Sequence, residues 1–392
     1  MEKGWSTSCE KVRNYISDDL ALCILSKLPL KSLKRFGCVC RSWNLLFDDN
    51  HFMNIFRNNF ICYHHSNYDD TFLMLQCTDR DFYSLSGDNF ENIVKLNWPN
   101  PFQEEDPYFY VMDSGSITGV LSLYKLDDGR TVFWNPTTEE FKIIPPSPHH
   151  LETPYLRTKV YPAGYGYDKV RDDYKLIRYV SYDTLSSQEC QEIGIPYIIS
   201  DLSYDNLWEI YSVKSNTWKK LDSIDPYLHW FILGFHGKRV HINEMCHWWN
   251  LSPTEDEGLD LASFVFVNEV LITTPILLNI NSRKIITGLN GTIAFISWIS
   301  DTTIFDISIL GEVGAKESWI KLYSIGPFCC NIKEIIGAGN NGDMFFRKKD
   351  GNIVWYNLRT QLMEDLCIKG EDYYCQILMY KSSVLPMGGV NY

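Results

Sequence analysis

The sequence predicts an α+β multidomain chain: a short helical unit at the N-terminus, followed by a longer all-β unit built as a β-propeller. Three observations carry this. Between Ser17 and Phe47 the apolar residues fall in steps of three and four, the helical period. From about Ile61 the texture changes to short β-runs separated by turn residues and stays so to the C-terminus. Within that second part, one strand–turn–strand unit recurs at close to the length of a propeller blade.

In the helical stretch, Leu20, Ile24, Leu25 and Leu28 precede Pro29, and Leu30, Leu33, Phe36, Val39, Cys40, Trp43, Leu46 and Phe47 follow it. Ser17 is placed to cap the first helix, with Asp18 and Asp19 in the first turn, where the helix dipole favours carboxylates. Pro29 is expected to end that helix and let a second begin. A hairpin of about thirty residues cannot bury a core of its own, so it must pack on the rest of the chain or on another protein. A short helix or turn is expected over Asp48–Asn59. The predicted organisation is a flexible N-terminus over 1–12, a helical domain over 13–60 and the β-domain over 61–392.

In the β-part, the hairpin half of the repeat reads Val132-Phe133-Trp134-Asn135-Pro136-Thr137-Thr138-Glu139-Glu140-Phe141. It returns over Trp208–Trp218 and Val354–Met363, and in weaker copies over Phe264–Thr273 and Ile304–Trp319. The leading half appears near Gly119, Gly166, Glu244, Gly291 and Gly342, at spacings of about 47, 78, 47 and 51 residues. The long interval contains Asp183–Tyr204, which reads as a loop inserted within one blade. Five units are clear. A sixth is expected to be shared between the first strands, Thr71–Ser86, and the last, Cys375–Val384, because pairing the chain ends removes exposed sheet edges. The reading is a kelch-like propeller of six blades, with five or seven blades, a β-sandwich pair and a β-solenoid as the alternatives. Trp134, Trp218, Trp248, Trp249, Trp319 and Trp355 are expected to pack between blades. Gly164 and Gly166 are expected to allow close strand approach or positive φ.

The pattern Asp18-Asp19-Leu20, Ile24-Leu25, Leu28-Pro29-Leu30-Lys31-Ser32-Leu33, Phe36, Val39-Cys40 and Trp43 resembles an F-box. It resembles most the F-box of plant F-box/kelch-type proteins with an F-box-associated domain, a family that includes the S-locus F-box proteins. Further matches to that domain are Phe133–Thr138, Gly164-Tyr165-Gly166-Tyr167-Asp168 with Asp173-Tyr174-Lys175, and His247-Trp248. The resemblance implies that the hairpin binds a Skp-type adaptor and, through it, a cullin-RING ubiquitin ligase. The residues it marks for adaptor contact are Leu20, Ile24, Leu25, Leu28, Pro29, Leu33, Phe36, Val39 and Trp43. One departure stands out. The family opens with Leu-Pro where this chain has Ile16-Ser17, which implies a modest loss of adaptor contact. The same resemblance implies a non-catalytic receptor that captures a target protein for ubiquitination, and it leaves a role in self-incompatibility open.

Composition bounds the function independently. The net charge of −13 argues against non-specific nucleic-acid binding, which needs basic stripes. Against that acidic background Lys27, Lys31, Lys34, Arg35 and Arg41 make the hairpin basic, which fits an acidic partner. The 12 cysteines form no framework and read as reduced thiols of a cytoplasmic or nuclear protein. The first fifteen residues lack the apolar segment of a secretory signal, and no apolar run reaches membrane-spanning length, so no membrane association is expected.

No Gly-x-Ser-x-Gly elbow, phosphate-binding loop or His-Glu-x-x-His motif is present, and no enzyme activity or cofactor is expected. His241, Cys246 and His247 cluster, but adjacent strand residues point to opposite faces, so no metal site is expected. Glu104-Glu105-Asp106 and Glu255-Asp256-Glu257 read as solvated turns. Target contacts are expected on long loops carried by the rigid scaffold: 99–107, 145–155, 183–204 and 252–260. The alternatives are a ligand- or glycan-binding propeller, favoured by 15% aromatic content, and a scaffold acting outside ubiquitination.

Overall fold

The computed structural model describes residues 17–28, 36, 43, 45–49, 51, 52 and 55. From 71 to 387 it describes all but 106, 113, 114, 126, 127, 151, 152, 154, 197–204, 225–238, 252–258, 277–282, 290, 300, 301, 316–318, 340–342, 359, 373, 374, 385 and 386. The chain divides into two compact units, Met1–Asp70 and Thr71–Tyr392.

In the first unit, helix α1 spans Asp18–Leu25. Ser17 caps it in extended conformation, its Oγ accepting from the Leu20 N–H at 3.4 Å. The helix stops at Leu25, four residues before the proline expected to end it. The local reason is visible: Ser26 Oγ donates to the Cys23 carbonyl at 3.0 Å, and the N–H groups of Lys27 and Leu28 fall back on Ile24 and Leu25 at 3.1 Å. The last turn thus tightens to i→i−3 bonding before the residue preceding Pro29, which disfavours the helical region. A 3₁₀ turn follows at Leu45–Asp48, and the buried Phe52 donates its N–H to Asp49 Oδ1 at 2.7 Å.

The second unit is six four-stranded antiparallel sheets. From inner to outer strand, blade 1 is β24 (Gln376–Lys381), β1 (Thr71–Gln76), β2 (Phe82–Ser86) and β3 (Asn92–Leu96). Blade 2 is β4 (Tyr110–Val111), β5 (Leu121–Tyr124), β6 (Thr131–Asn135) and β7 (Glu140–Ile143). Blade 3 is β8 (Leu156–Asp168), β9 (Asp173–Thr184), β10 (Leu207–Ser212) and β11 (Thr217–Lys220). Blade 4 is β12 (Val240–Ile242), β13 (Met245–Leu251), β14 (Leu259–Val265) and β15 (Val270–Ile276). Blade 5 is β16 (Arg283–Leu289), β17 (Thr292–Trp298), β18 (Phe305–Leu310) and β19 (Trp319–Ile325). Blade 6 is β20 (Ile332–Ala338), β21 (Asp343–Lys348), β22 (Asn352–Asn357) and β23 (Met363–Lys369).

This is the six-bladed propeller the repeats predicted, with the sixth blade shared between the chain ends. β1 pairs with β24 from Thr71↔Lys381 to Gln76↔Gln376. The cores lie between blades. Trp134 packs with Phe82, Met74 and Tyr380 across blades 1 and 2, and Trp248 with Tyr179 and Trp208 across blades 3 and 4. Trp249 packs with Ile286 and Phe295 across blades 4 and 5, and Trp355 with Leu75 and Ile377 across blades 6 and 1. Blades 5 and 6 meet through Phe305 and Phe346, and blades 2 and 3 through Phe133 and Tyr165.

The sequence landmarks hold these joints. In Phe133–Thr138, Asn135 Nδ2 donates to the Ser383 carbonyl at 2.9 Å, and Thr137 Oγ1 lies 2.8 Å from the Tyr380 hydroxyl, tying blade 2 to the C-terminal strand. Gly164 and Gly166 serve close approach. A Cβ at Gly164 would lie 2.3 Å from Cys246 Sγ, and one at Gly166 2.1 Å from the Phe266 ring. The fully buried Asp168 accepts from Lys175 at 2.9 Å and Arg171 at 2.8 Å, and Lys175 reaches on to Glu269 of blade 4 at 2.9 Å. That explains why the Gly-rich motif and Asp173-Tyr174-Lys175 occur together.

Candidate functional site

Two surfaces carry the predicted contacts, one on each unit. On α1, Leu20 and Ile24 stand four residues apart and share one helix face. They are 53% and 48% exposed, whereas Leu25 is 5% exposed and fills the interior. Leu28 is half-buried in the turn that follows. Phe36 is 40% exposed, and its ring meets that of the half-buried Trp43 edge-on, with centroids 5.7 Å apart. Pro29, Leu33 and Val39 lie outside the described residues. Leu20, Ile24 and Phe36 therefore present large apolar side chains to solvent.

On the propeller, antiparallel pairing puts two sets of loops on one face: those joining second to third strands within a blade, and those joining an outer strand to the next blade. Segments 99–107 and 145–155 leave the outer strands of blades 1 and 2. Segments 183–204 and 252–260 join second to third strands in blades 3 and 4. All four thus lie on the same face, along a continuous arc from blade 1 to blade 4. Sequence length alone selected them, and topology brings them together.

Segment 99–107 is clasped from within. Asn100 Nδ2 donates to the Glu104 carbonyl at 2.8 Å, and the Glu104 N–H returns a bond to Asn100 Oδ1 at 2.9 Å. The Glu104 carboxylate takes the nearly buried Lys125 ammonium and, at 3.2 Å, Arg130. The Arg130 guanidinium lies 4.2 Å from the Phe102 ring centroid. Lys125 against it holds the Glu104 carboxyl below the usual carboxylate range. The reading of Glu104 as a solvated turn residue is corrected: it neutralises a buried lysine. Glu105 is exposed, and Asp106 lies outside the described residues.

Segment 145–155 is pinned to blade 3 by the fully buried Glu209. Glu209 Oε1 accepts from Arg178 Nε at 2.7 Å and lies 3.1 Å from His150 Nε2. Its Oε2 accepts from Ser147 Oγ at 2.5 Å and lies 3.3 Å from His149 Nδ1. Burial alone would raise the Glu209 pKa. The His150 hydrogen bond, the Arg178 charge and the Ser147 hydroxyl outweigh it and hold the carboxyl at about 2. Trp218 Nε1 donates to the Pro145 carbonyl at 2.9 Å, fixing the start of the loop. Sequence reasoning marked the loop and missed this anchor.

Segment 183–204 is less of a loop than expected. Asp183 and Thr184 extend β9, paired with Arg157 and Leu156 of an unusually long β8. Helix α2 (Ser187–Glu192) follows, closed by a capping box of Ser186 and Glu189. Only Cys190 of that helix is buried, and Ile193 after it is 58% exposed. Residues 197–204 lie outside the described residues. In segment 252–260, Leu259 and Asp260 belong to β14, paired with Leu251 and Asn250, because the hydrogen-bonded ladder continues past the expected loop end. Residues 252–258, with Glu255, Asp256 and Glu257, lie outside the described residues.

Comparison with known families assigns both units. Residues 73–388 match the F-box associated beta propeller domain, more than half of the chain. The chain belongs to that family. Residues 15–54 of this F-box-associated propeller protein match the F-box domain. Among curated relatives, F-box protein CPR1 of Arabidopsis thaliana is 22% identical over 394 residues, covering 95% of this chain and 89% of the relative. F-box/WD-40 repeat-containing protein 1 of the same plant is 24% identical over 313 residues, covering 77% and 67%. A further Arabidopsis thaliana F-box protein is 29% identical over 173 residues, and there the chain spans 41% of the relative's length.

In this F-box-associated propeller, His241 of β12 stands opposite Cys246 of β13. His247 is buried, its Nδ1 2.7 Å from Ser263 Oγ and its Nε2 3.2 Å from the Ile242 carbonyl. Both ring nitrogens are thus engaged by the blade itself, and burial lowers the His247 pKa to about 4. Among the described residues no group of three or more His, Cys, Asp or Glu side chains is placed to hold a metal ion. Among them too, no helix is long and apolar enough to cross a membrane.

Proposed function

We propose that the protein is the substrate-recognition subunit of an SCF-type E3 ubiquitin ligase. The F-box, taken as residues 13–60, docks on a Skp-type adaptor through the face bearing Leu20, Ile24 and Phe36, with Leu28, Pro29, Leu33, Val39 and Trp43 completing the contact and Leu25 supporting it from within. The propeller, taken as residues 61–392, captures a target protein with the loops of one face, and its contribution is effective concentration and orientation of the target's lysines, not bond chemistry. The observation that carries this reading is the joining, in one chain, of an F-box match with exposed apolar residues on α1 and a propeller whose four long loop segments share a face. The pinned loops 99–107 and 145–155 suit protein recognition, because a pre-ordered loop loses less entropy on binding. The proposed location is cytoplasmic or nuclear.

The test is co-expression with a plant Skp-type adaptor and cullin, comparing the full chain with one lacking residues 1–60. Recovery of both partners by the full chain, and of neither by the shortened chain, supports the reading. Failure of the full chain to recover adaptor overturns it.

A further inference from the structure

The propeller ring closes through one non-covalent ladder, β1 on β24, and two cysteines stand at the end of that seam. The ladder ends at the rung Gln76↔Gln376, and continuing its antiparallel register by one residue sets Cys77 opposite Cys375. Both are free and buried, within the core shared by blades 6 and 1. The Cys77 N–H goes to the Asp81 carbonyl at 2.9 Å, and its carbonyl accepts from the Glu371 N–H at 2.9 Å. Neither backbone group is spent on Cys375, so this is a non-hydrogen-bonded pair. In such pairs side chains approach most closely, at a Cα separation of about 4.5 Å that a disulfide can span.

We propose that Cys77 and Cys375 form a latent disulfide site that locks the propeller ring. The link would close a loop of about 300 residues at the one place where the chain ends meet. It concerns the propeller's own stability and does not rest on the ligase reading.

Access to the pair is restricted. The segment from Gly370 to Glu371 passes over it: Gly370 donates to the Gly351 carbonyl at 2.9 Å, and a Cβ at Gly370 would meet Cys375 Sγ at 2.5 Å. The neighbouring thiol and burial both push the Cys77 thiol up, so little thiolate forms while the seam is shut. Oxidation therefore needs the Gln76–Gln376 end of the β1–β24 seam to open. With a small disulfide such as oxidised glutathione, one cysteine thiolate attacks a glutathione sulfur and expels one glutathione thiolate. The second cysteine thiolate then attacks the protein sulfur of that mixed disulfide and expels the other. Two thiol protons pass to the two expelled thiolates. The cysteine pair loses two electrons, and the glutathione disulfide gains them.

The full chain, reduced and then incubated with oxidised glutathione with and without sub-denaturing urea, is alkylated and mapped by mass spectrometry. A peptide linking Cys77 to Cys375 is expected, forming at least tenfold faster in urea. The oxidised protein is expected to melt on the order of 5 °C higher than the reduced one. Cys77→Ala should lose both the linked peptide and the rise in Tm; where that variant fails to fold, Cys375→Ala tests the same point. Recovery of both cysteines alkylated after refolding in oxidised glutathione overturns the proposal. So does a Cys77–Cys375 link that leaves Tm unchanged.

Discussion

Arg178 and Glu209 are directly opposite on β9 and β10, and their buried side chains meet at 2.7 Å, with the Arg178 guanidinium 3.6 Å from the Trp218 ring centroid. This one pair lets blade 3 hold a loop that belongs to the connection from blade 2, because the second carboxylate oxygen stays available to Ser147 and His149.

Glu209→Gln should therefore cost about 3–5 kcal/mol, the usual penalty for leaving a buried charge without its partner. Urea unfolding of the variant and the wild type measures this. The pH dependence has a definite sign. The folded carboxyl at about 2 lies below its unfolded value of about 4.3, so its stabilisation is complete above the unfolded value and is lost as pH falls from there toward 2. The stability gap between wild type and Glu209→Gln should narrow across that window, and a constant gap would show that Glu209 is not charged in the fold.

His247 gives a second titration at higher pH. Its folded pKa of about 4 lies below the unfolded value of about 6.5, so between these values the unfolded chain binds the extra proton. Stability should fall as pH drops from about 6.5 to about 4. In His247→Gln that slope should be shallower than in the wild type, read as the difference between the two urea-unfolding series, whatever its offset at pH 7.

Ile24→Asp places a charge on the exposed face of α1. The side chain is half in solvent, so the chain should fold, with a Tm within about 2 °C of the wild type. Adaptor affinity should fall at least tenfold, the effect of losing about 1.4 kcal/mol at an apolar contact. Undiminished binding in a titration would place the docking face elsewhere.

Replacing residues 187–204 by a short Gly-Ser linker removes α2, which buries only Cys190, and leaves β9 intact to Thr184. The expected change in Tm is under about 3 °C, since loop length alone costs little. A larger drop, measured by thermal melting, would mean that the segment supports blade 3.

Much of the fold was legible in the sequence because its signals are local. Asn135-Pro136-Thr137-Thr138 reads as a turn in any context, and helical spacing around Ile24 needs no partner to be seen. The end of α1 was misplaced because a proline is a conspicuous stop, whereas Ser26 bonding back to Cys23 is a quiet one. The first blade's outer strand, β3, went unread because Asn92–Leu96 is exposed along most of its length and carries little of the alternation that marks a half-buried strand.

The order of blades, the hairpins within them and the apolar helix face were determined by the sequence alone, through periodicities of two and of three to four that short-range geometry imposes on any chain. The partnerships of Glu104 with Lys125, of Glu209 with Arg178 and His150, and of Cys77 with Cys375 were decided only by the tertiary structure. These residues lie up to roughly 300 positions apart. What brings them together is strand register and ring closure, and a charge or a thiol in a sequence carries no mark of the partner that register will give it.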